Sequence, residues 1–401
     1  MRVTHLSLTD FRNYAQVEVP FQPGPNLIVG SNGQGKTNLV EALGFLSTLG
    51  SHRVSTTAAM IRSGEESAII RAKLEYNGRD LLAEVQINRS ELNRAQINRS
   101  VIKTRELPRY FSSVLFAPED LALVRGDPSG RRRFLDQLLV LRSPRLTGVL
   151  ADYDRVLKQR NSLLKSARAS GLRTTQLGTL EVWDDRLVEF GSEIIDERAK
   201  LVDELGGPLR TAYEAVVGAD HGPALLGALS VLGLDDSSGS DEGTPSHASS
   251  PSLSSTPAVA TEDGAKVAGT TADLFRAALA GVRRKELDRG MTLVGPHRDD
   301  VVFMLNALPA RGYASHGESW SFALALKLAA AELLRRDSSS GDPVLILDDV
   351  FAELDLSRRS RLATAVLAFD QVLITAAVFE DVPDQLAAHT IRIHAGEVVD
   401  G

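Results

Sequence analysis

The segment Gly30–Thr37, GSNGQGKT, limits most strongly what this chain can fold into. It follows the apolar run NLIV and precedes TNLVEALGFLSTL, whose apolar residues recur at helical spacing. A glycine-rich turn between a strand and a helix places backbone N–H groups around an anion at the positive helix end. The pattern GxxxxGK[ST] in this context predicts a nucleotide phosphate loop. A glycine-rich turn without a ligand is the alternative.

The residue types in this loop match the separate tasks of binding a nucleotide. We expect the ammonium of Lys36 to reach the β- and γ-phosphates of ATP and to take part in catalysis. We expect the hydroxyl of Thr37 to ligate Mg²⁺. The loop and the residue after it make up the predicted ATP contacts, which are Gly30, Ser31, Asn32, Gly33, Gln34, Gly35, Lys36, Thr37 and Asn38.

The segment Val344–Asp349, VLILDD, supplies the acids that a phosphate loop requires on its metal side. Its apolar residues predict a buried strand, and the acids follow at the carboxyl end, which is the ligand edge of an open α/β sheet. We expect Asp348 to hold Mg²⁺, mainly through water, and Asp349 to polarise the attacking water as a catalytic residue. An acid pair that caps the next helix is the alternative interpretation.

The segment Ser315–Ala329, SHGESWSFALALKLA, changes from small and polar residues to an apolar helix. Its Ser-x-Gly-Glu turn resembles the signature motif of ABC-type ATPases, which binds the γ-phosphate of a nucleotide held by the other subunit. The physical basis is the attraction of an anion to a helix start. The resemblance implies that Ser315 and Gly317 contact ATP across a homodimer interface. A serine-capped core helix is the alternative.

Two later segments extend this resemblance. Glu353–Asp355 fits the D-loop, which lies along the dimer interface, so Asp355 is a predicted residue of the nucleotide site. QVLIT, Gln371–Thr375, fits the next strand, after which most ABC ATPases place a switch histidine. Thr375-Ala376-Ala377 stands there instead, so no histidine is available at this point to sense the γ-phosphate.

Blocks from residue 2 to about 375 resemble the RecF family of bacterial DNA replication and repair ATPases, which is related to the SMC-type proteins. The most distinctive ones are Gly295–Asp300, GPHRDD, in the longer block DRGMTLVGPHRDD, and Asp348–Asp355, DDVFAELD. The segments Asp10–Tyr14, Phe116–Leu121 and Arg131–Asp136 match the family in the same order.

The resemblance implies ATP-driven dimerisation, slow hydrolysis that resets the dimer, and preference for duplex DNA next to single strand. It also implies loading of recombinase together with the partners RecO and RecR. By the same resemblance, Arg12 lies near the nucleotide base. The roles of His297, Asp299 and Asp300, in the active site or at a lobe interface, stay open. Gln and Arg commonly follow the signature glycine in this family, whereas Glu318-Ser319-Trp320 stands here. We expect Ser315 and Gly317 to keep their contact with the phosphate across the dimer, with a different strength.

The net charge of −7 is unevenly distributed. Residues 235–268 hold six acids and one lysine, whereas Arg125–Arg173 holds twelve Arg or Lys against four Asp. Because local basic density governs attraction to phosphates, the basic segment is a predicted DNA surface that would not read bases. Solvated helix faces, with Arg131–Arg133 paired to local acids, are an equal alternative. The DNA candidates are Arg131, Arg132, Arg133, Arg155, Lys158, Arg160 and Lys165.

The predicted fold class is α/β, with an ABC/SMC-like P-loop ATPase head assembled from N- and C-terminal segments and an inserted, mainly helical lobe. We predict an ATPase domain from residues 1–127 and 271–401 and a helical lobe from residues 128–234. The Ser-, Pro- and acid-rich residues 235–270 are predicted to be a disordered insertion.

Finer expectations concern single elements of these predicted domains. Pro144 and Pro208 are predicted to start or break helices, and TLVG, residues 292–295, is predicted to be a strand.

Composition excludes several classes of protein. The chain has no cysteine, which excludes disulfides and thiolate metal sites and fits a reducing compartment. No signal peptide is expected, and no window approaches the ~18 apolar residues of a membrane span. We expect a cytoplasmic, nucleoid-associated protein without membrane contact. A transporter ATPase subunit is disfavoured by the long helical lobe, whereas a nucleotide-dependent scaffold with negligible turnover stays open until kinetics are measured.

Overall fold

The computed structural model describes residues 1–76, 78–170, 178–233, 269–338 and 341–399. The chain divides into two compact units. Unit 1 comprises residues 1–150, 197–227 and 300–401, and unit 2 comprises residues 151–196 and 228–299.

The limits of these units differ from those of the predicted domains. Residues 128–150 and 197–227, predicted for the helical lobe, belong to unit 1, and residues 271–299, predicted for the ATPase domain, belong to unit 2. The predicted insertion at 235–270 lies outside the described residues except for its last two positions. A helix of high local periodicity carries no signal of which unit it packs in, so the sequence did not indicate these limits.

The strands of the described residues form three sheets. They are β1 (Arg2–Phe11), β2 (Tyr14–Pro20), β3 (Gly24–Val29), β4 (Ser67–Tyr76), β5 (Arg79–Asn88), β6 (Arg94–Ile97), β7 (Ser100–Ile102), β8 (Ser113–Phe116), β9 (Ala224–Ala228), β10 (Asp300–Leu305), β11 (Leu308–Pro309), β12 (Val344–Asp348), β13 (Gln371–Ala376), β14 (Thr390–His394) and β15 (Glu397–Val399).

The α-helices alternate with these strands at both ends of the chain. They are α1 (Lys36–Thr48), α2 (Leu121–Arg125), α3 (Pro128–Arg142), α4 (Leu146–Ala169), α5 (Gly178–Val217), α6 (Thr271–Arg289), α7 (Ala310–Tyr313), α8 (His316–Asp337) and α9 (Leu356–Val366). In the part of the chain that the structure describes, no helix combines the length and apolar character needed to cross a membrane.

The central sheet of unit 1 positions the predicted nucleotide residues. Its strand order is β15-β14-β3-β13-β12-β8, and all neighbours except β15 pair in parallel. Strand β12 is buried on both faces: Leu345 and Leu347 join one apolar core together with α8, and Val344 and Ile346 join another with α1. Parallel strands covered on both faces require continuous apolar runs, which explains the VLIL sequence.

The N-terminal antiparallel sheet of unit 1 has the order β2-β1-β4-β5-β6-β7. On β4, alternate residues Ala68, Ile70, Ala72 and Leu74 are fully or almost fully buried, as expected of a sheet with one covered face. The turn between β4 and β5 includes Asn77, which lies outside the described residues, and the two strands pair antiparallel.

Two predictions about single elements are wrong. Pro208 lies inside α5, where burial of Leu205 and Leu209 on either side stabilises the helix despite the lost hydrogen bond. Residues 292–295 form a loop because side chains take the place of a neighbouring strand. The amides of Thr292 and Gly295 donate to Asn161 Oδ1 and to Ser230 Oγ, at 2.7 and 2.8 Å.

Unit 2 packs its segments of α4 and α5 with α6. Gly191 on α5 is a point of close approach, because a Cβ there would lie 2.6 Å from the Phe275 ring and 3.0 Å from the Tyr153 ring. Phe275 has no exposed surface. Any larger residue at 191 would displace these aromatic side chains, so this small residue sets how the helices of unit 2 pack.

Candidate nucleotide site

The loop between β3 and α1 has the backbone shape that a phosphate loop requires. Gly33 and Gly35 have φ values of 84° and 114°, a region that residues with a Cβ adopt only with strain. A Cβ on Gly35 would also lie 2.5 Å from the Tyr14 hydroxyl oxygen. Ser31 and Asn32 are exposed at the loop tip, so the concave backbone is open to an incoming ligand.

Lys36 is held inside this loop. Its side chain is 3% exposed, and Nζ donates to the carbonyl oxygens of Gly30 and Ser31 at 2.7 and 3.3 Å. Because Lys36 is also the first residue of α1, the ammonium and the positive helix end face the same position. Phosphate oxygens that replace these carbonyls would accept hydrogen bonds from an ammonium group that is already in position.

The acids of β12 meet the loop at the carboxyl edge of the sheet. Strand β13 lies between β3 and β12 and brings Thr375 opposite Asp348. The hydroxyls of Thr37 and Thr375 donate to Asp348 Oδ1 at 3.2 and 2.5 Å, and the Asp349 amide donates to Thr375 Oγ1 at 2.9 Å. Thr375, at the strand end where a switch histidine was expected to follow, therefore fixes both predicted acids.

Electrostatics make this corner receptive to a cation. Burial is the main cause that raises the pKa of Asp348 to about 6, and the neighbouring charges of Asp349 and Glu119 act in the same direction. Hydrogen bonds from Thr375 and Thr37 oppose them. A bound divalent ion would relieve the penalty on the buried carboxylate. Sequence reasoning missed Glu119, although its position just after β8, the neighbour of β12, placed it at the same sheet edge.

The donor set fits Mg²⁺. Among the described residues no group of three His, Asp or Glu forms a protein cage for a metal ion. Mg²⁺ beside a nucleotide does not need one, since it keeps several waters and takes one or two protein oxygens plus phosphates. The Thr37 hydroxyl and the Asp348 carboxylate, 3.2 Å apart, are oxygens of that kind.

Arg12 is engaged by protein groups rather than left free for a base. Its Nε and Nη2 donate to the buried Glu41 carboxylate at 2.8 and 2.6 Å, and Nη1 donates to the Ala59 carbonyl at 2.8 Å. Burial opposes the charge of Glu41, but hydrogen bonds from Arg12 and Ser51 outweigh it and hold the pKa of this carboxyl below its ordinary value. These contacts brace α1, and proximity of Arg12 to the base stays a prediction.

A series of hydrogen bonds between side chains holds the outside of the phosphate loop. Asn13 Nδ2 donates to the Gln34 carbonyl at 3.2 Å, and Asn38 Nδ2 donates to Asn13 Oδ1 at 2.7 Å. Arg53 Nη1 donates to Asn38 Oδ1 at 2.8 Å. Sequence reasoning did not select Asn13 or Arg53, although Asn13 stands next to Arg12 in the block DFRNY.

The signature segment caps helix α8. Ser315 is the N-cap: its Oγ accepts from the Glu318 amide at 3.3 Å, and its own amide donates to Glu318 Oε2 at 2.8 Å. This reciprocal pair is a capping box. Since the Ser315 hydroxyl serves as an acceptor here, its proton is free to point outward. Ser315 is exposed and Gly317 is half-buried at the helix start.

The unusual residues after Gly317 have defined contacts. Ser319 is fully buried. Its hydroxyl donates to the Ser315 carbonyl at 2.8 Å and accepts a hydrogen bond from Arg125 Nε at 3.1 Å. Trp320 is 3% exposed and packs edge-on against Phe116, with ring centroids 4.7 Å apart. Glu318 belongs to the cap, so these three residues serve the helix and its core.

The predicted D-loop lies beside the signature segment. Asp355 caps α9 by accepting from the Arg358 amide at 2.9 Å, and the Arg358 Nε lies 3.5 Å from Asp355 Oδ2. A Cβ on Gly317 would lie 3.1 Å from Arg358 Nη1. Leu356 next to Asp355 is 81% exposed. Arg358 is a cation at this surface that sequence reasoning did not select.

Two of the predicted DNA contacts are wrong because the side chains are buried. Arg160 has no exposed surface, and its guanidinium donates to Asp184, Thr292 and Glu286 at 2.6–2.7 Å. Arg131 is 4% exposed and binds Asp300 through two hydrogen bonds of 2.7 and 2.8 Å. Burying a guanidinium is tolerable only with paired acids, so these arginines are structural.

The other DNA candidates of the basic segment differ in exposure. Arg133 and Lys165 are exposed, and Arg132 is half-buried. Arg155 and Lys158 are exposed on α4 and pair with Asp152 and Asp154 at 2.6 and 2.5 Å. Their contact with DNA stays a prediction.

The acids and the histidine near residue 300 make structural contacts within each unit. In unit 2, the Tyr153 hydroxyl lies 2.7 Å from His297 Nδ1, and Asp299 accepts from the Ser230 amide and hydroxyl at 2.8 Å. In unit 1, Asp300 binds Arg131. These side chains hold loops and helices together.

Unit 1 carries a second basic segment that sequence reasoning missed. Residues 89–109 hold six Arg or Lys against two Glu, and the structure folds them into β6, β7 and the turns around them. Arg99, Lys103, Arg105 and Arg109 are exposed, and within the described ranges no carboxylate lies within ion-pair distance of them. The density of basic residues in this segment was the available signal.

Comparisons with known proteins agree with this geometry. The chain is 66% identical to the DNA replication and repair protein RecF of Clavibacter michiganensis, covering 100% of this chain and 96% of that one. It is 64% identical to the protein of the same name from Leifsonia xyli, with both chains covered completely. A solved structure of the recombination mediator protein RecF-ATP in the RecFOR pathway matches with a TM-score of 0.81 and 26% identity, covering 99% and 96%.

A more distant likeness concerns the fold. An SMC head bound to the C-winged helix domain of ScpA matches with a TM-score of 0.51 at 14% identity, covering 100% and 97%. The predicted ABC/SMC-like ATPase head with a helical insert is confirmed. The family described as RecF/RecN/SMC N terminal domain matches residues 2–393. The chain therefore belongs to the RecF family of DNA replication and repair proteins within this SMC-type ATPase group.

Proposed function

We propose that the chain is an ATP-dependent, DNA-binding protein of recombinational repair, in which ATP joins two copies through composite sites. One observation carries this proposal: a phosphate-loop half and an exposed signature half stand on the same chain without contacting each other. Among the described residues, no hydrogen bond or ion pair connects Ser315, Gly317 or Asp355 to Gly30–Thr37. A second copy would supply the missing half of each site.

Within one site, the phosphate-loop half would bind and cleave ATP. Lys36 exchanges its carbonyl partners for the β- and γ-phosphates, and Thr37 with Asp348 would hold Mg²⁺. The ion would neutralise charge on the phosphate oxygens during transfer to water.

The water would be oriented by Asp349. The backbone of Asp349 has a left-handed φ of 51°, and its amide binds Thr375 Oγ1 at 2.9 Å. A non-glycine residue held in this conformation costs free energy that the surrounding structure must offset. That constraint fixes the backbone of Asp349 next to Asp348, and its carboxylate would act at the sheet edge where the γ-phosphate would lie.

The signature half would act on the nucleotide of the partner copy. The Ser315 hydroxyl and the first amides of α8 would donate to the γ-phosphate, and Asp355 would lie along the interface. A light-scattering measurement tests this arrangement. We expect monomer mass without nucleotide or with ADP and dimer mass with ATP. Equal masses in all three conditions would contradict the composite site.

A single substitution separates dimerisation from ATP binding. Ser315→Arg places a long cationic side chain at the helix start, so we expect loss of the ATP-induced dimer with unchanged affinity for ATP. The matched control is Ser338→Arg, at the other end of the same helix, where the dimer should persist. Loss of ATP binding in Ser315→Arg would show that Ser315 belongs to the phosphate-loop half instead.

The exposed Arg99, Lys103, Arg105 and Arg109 are the stronger candidate surface for DNA, since among the described residues no carboxylate lies within ion-pair distance of them. We expect Arg99→Glu with Lys103→Glu and Arg105→Glu to lower DNA affinity at least tenfold and to reduce the salt slope by about 2–3. The same number of reversals on α4, at Arg155, Lys158 and Lys165, is the matched comparison. An unchanged salt slope in the first variant would move the DNA surface elsewhere.

The finer functional assignments rest on the family. Its members named above include a recombination mediator of the RecFOR pathway. We propose RecR and RecO as partners, duplex next to single strand as the preferred DNA, and recombinase loading as the outcome. ATP turnover measured alone and with duplex, single-stranded and junction DNA tests these assignments, with the largest stimulation expected for junctions.

A scaffold with negligible turnover is the second candidate. The presence of Thr375-Ala376-Ala377, with no histidine following β13, favours it, because no imidazole is available there to contact the γ-phosphate. DNA-stimulated turnover that Asp349→Asn abolishes would reject the scaffold.

A further inference from the structure

The start of helix α8 presents donors that are not used by the helix. The first helical hydrogen bond runs from the Ser319 amide to the Ser315 carbonyl at 2.9 Å. The amides of His316 and Gly317 precede it and therefore have no carbonyl of the helix to bind. Together with the Ser315 hydroxyl and the nearby guanidinium of Arg358, they form a surface that attracts an anion.

One anion already stands at this helix end. The Glu318 carboxylate reaches back along the helix to the Ser315 amide, 2.8 Å away. Hydrogen bonds to Ser315, more than any other factor, lower the pKa of Glu318, with smaller contributions from His221 and Arg358. The carboxylate is therefore charged near neutral pH. It lies at the same helix start as the Ser315 hydroxyl and the free amides that the partner's γ-phosphate would use.

The surroundings of Glu318 add further negative charge. Asp355 lies beside Arg358, and Glu353 Oε2 lies 4.0 Å from His316 Nε2. Arg358 lies 3.5 Å from Asp355 Oδ2 and also close to the helix start at Gly317. A γ-phosphate approaching α8 thus meets helix amides that attract it and carboxylates that repel it.

We propose that Glu318 sets the strength of the composite ATP site. Its carboxylate weakens closure of the dimer by repelling the γ-phosphate of the nucleotide bound to the partner. This inference rests on the proposed function, because it presumes that the partner's nucleotide meets α8. The capping box keeps the carboxylate at the helix start in the free chain. Closure on ATP therefore has to overcome a charge of the same sign in each of the two sites.

Glu318→Gln isolates this charge from the cap. Glutamine completes the same capping box, because its carbonyl oxygen accepts from the Ser315 amide as the carboxylate does. The fold and the helix start are thus retained while one negative charge is removed from each site. With a slowly hydrolysed ATP analogue, we expect the protein concentration at which half of the chains are dimeric to fall about tenfold to hundredfold. The effect is this large because the repulsion is removed from both sites of a dimer.

A second capping box in unit 2 provides the matched control. At the start of α6, Asp273 Oδ2 accepts from the Thr270 amide at 3.0 Å, and Thr270 Oγ1 accepts from the Asp273 amide at 3.2 Å. Asp273→Asn removes a cap charge of the same kind away from the signature segment. We expect its dimerisation to equal that of the original chain.

Salt dependence distinguishes repulsion from a structural effect. Added salt screens repulsion between exposed charges, so the advantage of Glu318→Gln should shrink between about 0.05 and 0.5 M salt. The melting temperature without nucleotide should stay unchanged. An advantage that is independent of salt, or equal dimerisation of Glu318→Gln and the original chain, would overturn the inference and leave the composite site intact. Absence of an ATP-dependent dimer in the original chain would overturn the composite site and this inference with it.

Discussion

The two halves of the proposed ATP site differ in how much of their structure is formed within one chain. In the phosphate-loop half, Lys36 and Asp348 are almost fully buried and have protein partners at hydrogen-bond distance. In the signature half, Ser315 and Asp355 are exposed, and among the described residues their side chains bind only the helices that they cap. The first half is part of a core, and the second is a surface.

This difference has a physical origin. The phosphate loop is fixed by parallel strands whose carboxyl ends meet, so its polar groups lie where burial makes each unpaired group costly. The signature segment is a helix start, and its few free amides cost little while water covers them. We therefore expect substitutions in the phosphate-loop half to abolish chemistry or binding, and those in the signature half to change the dimer alone.

The largest effect is expected for Asp349→Asn. Removing a group that positions or deprotonates the attacking water typically lowers turnover by about 10²–10⁴-fold. Asparagine is similar in size and tolerates a left-handed φ, so the backbone at this position is retained. Turnover under saturating ATP is the measurement, and ATP-induced dimerisation, which should persist, is the control. Turnover within threefold of the original chain would assign catalysis to another acid, with Glu119 the next candidate.

Lys36→Met should lower the affinity for ATP by about 100-fold, corresponding to about 2.7 kcal/mol. Methionine preserves the apolar stem but cannot donate to the phosphates, and the loop carbonyls that Lys36 now binds lose their donor. Equilibrium binding of a fluorescent ATP analogue measures the loss. Lys327→Met, which removes a half-buried ammonium paired with Asp120 elsewhere in unit 1, controls for charge loss. Equal affinities of both variants would contradict the assignment of the loop.

The phosphate-loop half was predictable from sequence because its residues are contiguous. Gly30–Thr37 and Asp348–Asp349 each form one short pattern whose strand and helix neighbours are also local. Thr375 was noticed for a missing histidine, and its bonds to Asp348 and Asp349 depend on the strand order β3-β13-β12, which no local pattern encodes.

The basic segment Arg125–Arg173 shows what could not be predicted from the sequence. Charge density alone does not distinguish Arg160, which is buried among acids brought together from α5 and α6, from Lys158, two residues earlier on α4 and exposed. The partners of Arg160 lie 24 and 126 residues away along the chain. Such pairing becomes visible only once helix packing is known, and this also explains why Arg131 was misassigned.

Thr375→Val should lower turnover about tenfold. Valine has the shape of threonine, but the Asp349 amide loses its acceptor and Asp348 loses its shortest hydrogen bond, so both acids gain freedom at the sheet edge. Thr375→Ser keeps the hydroxyl and should retain most of the activity. ATP affinity, measured alongside, should change less than turnover. Equal turnover of the Val and Ser variants would show that the strand end itself fixes the acids.

The smallest effect, about fivefold weaker dimerisation, is expected for Leu356→Ser. Leu356 follows Asp355 and is 81% exposed, so closure of the dimer along the D-loop would remove part of its apolar surface from water. Partial burial of a leucine contributes about 1 kcal/mol. Leu92→Ser, at a position 89% exposed between β5 and β6, is the matched control. Sedimentation of both variants with an ATP analogue decides the question. If both dimerise like the original chain, the D-loop surface stays open to water in the dimer, and the contact between the two halves is confined to the start of α8.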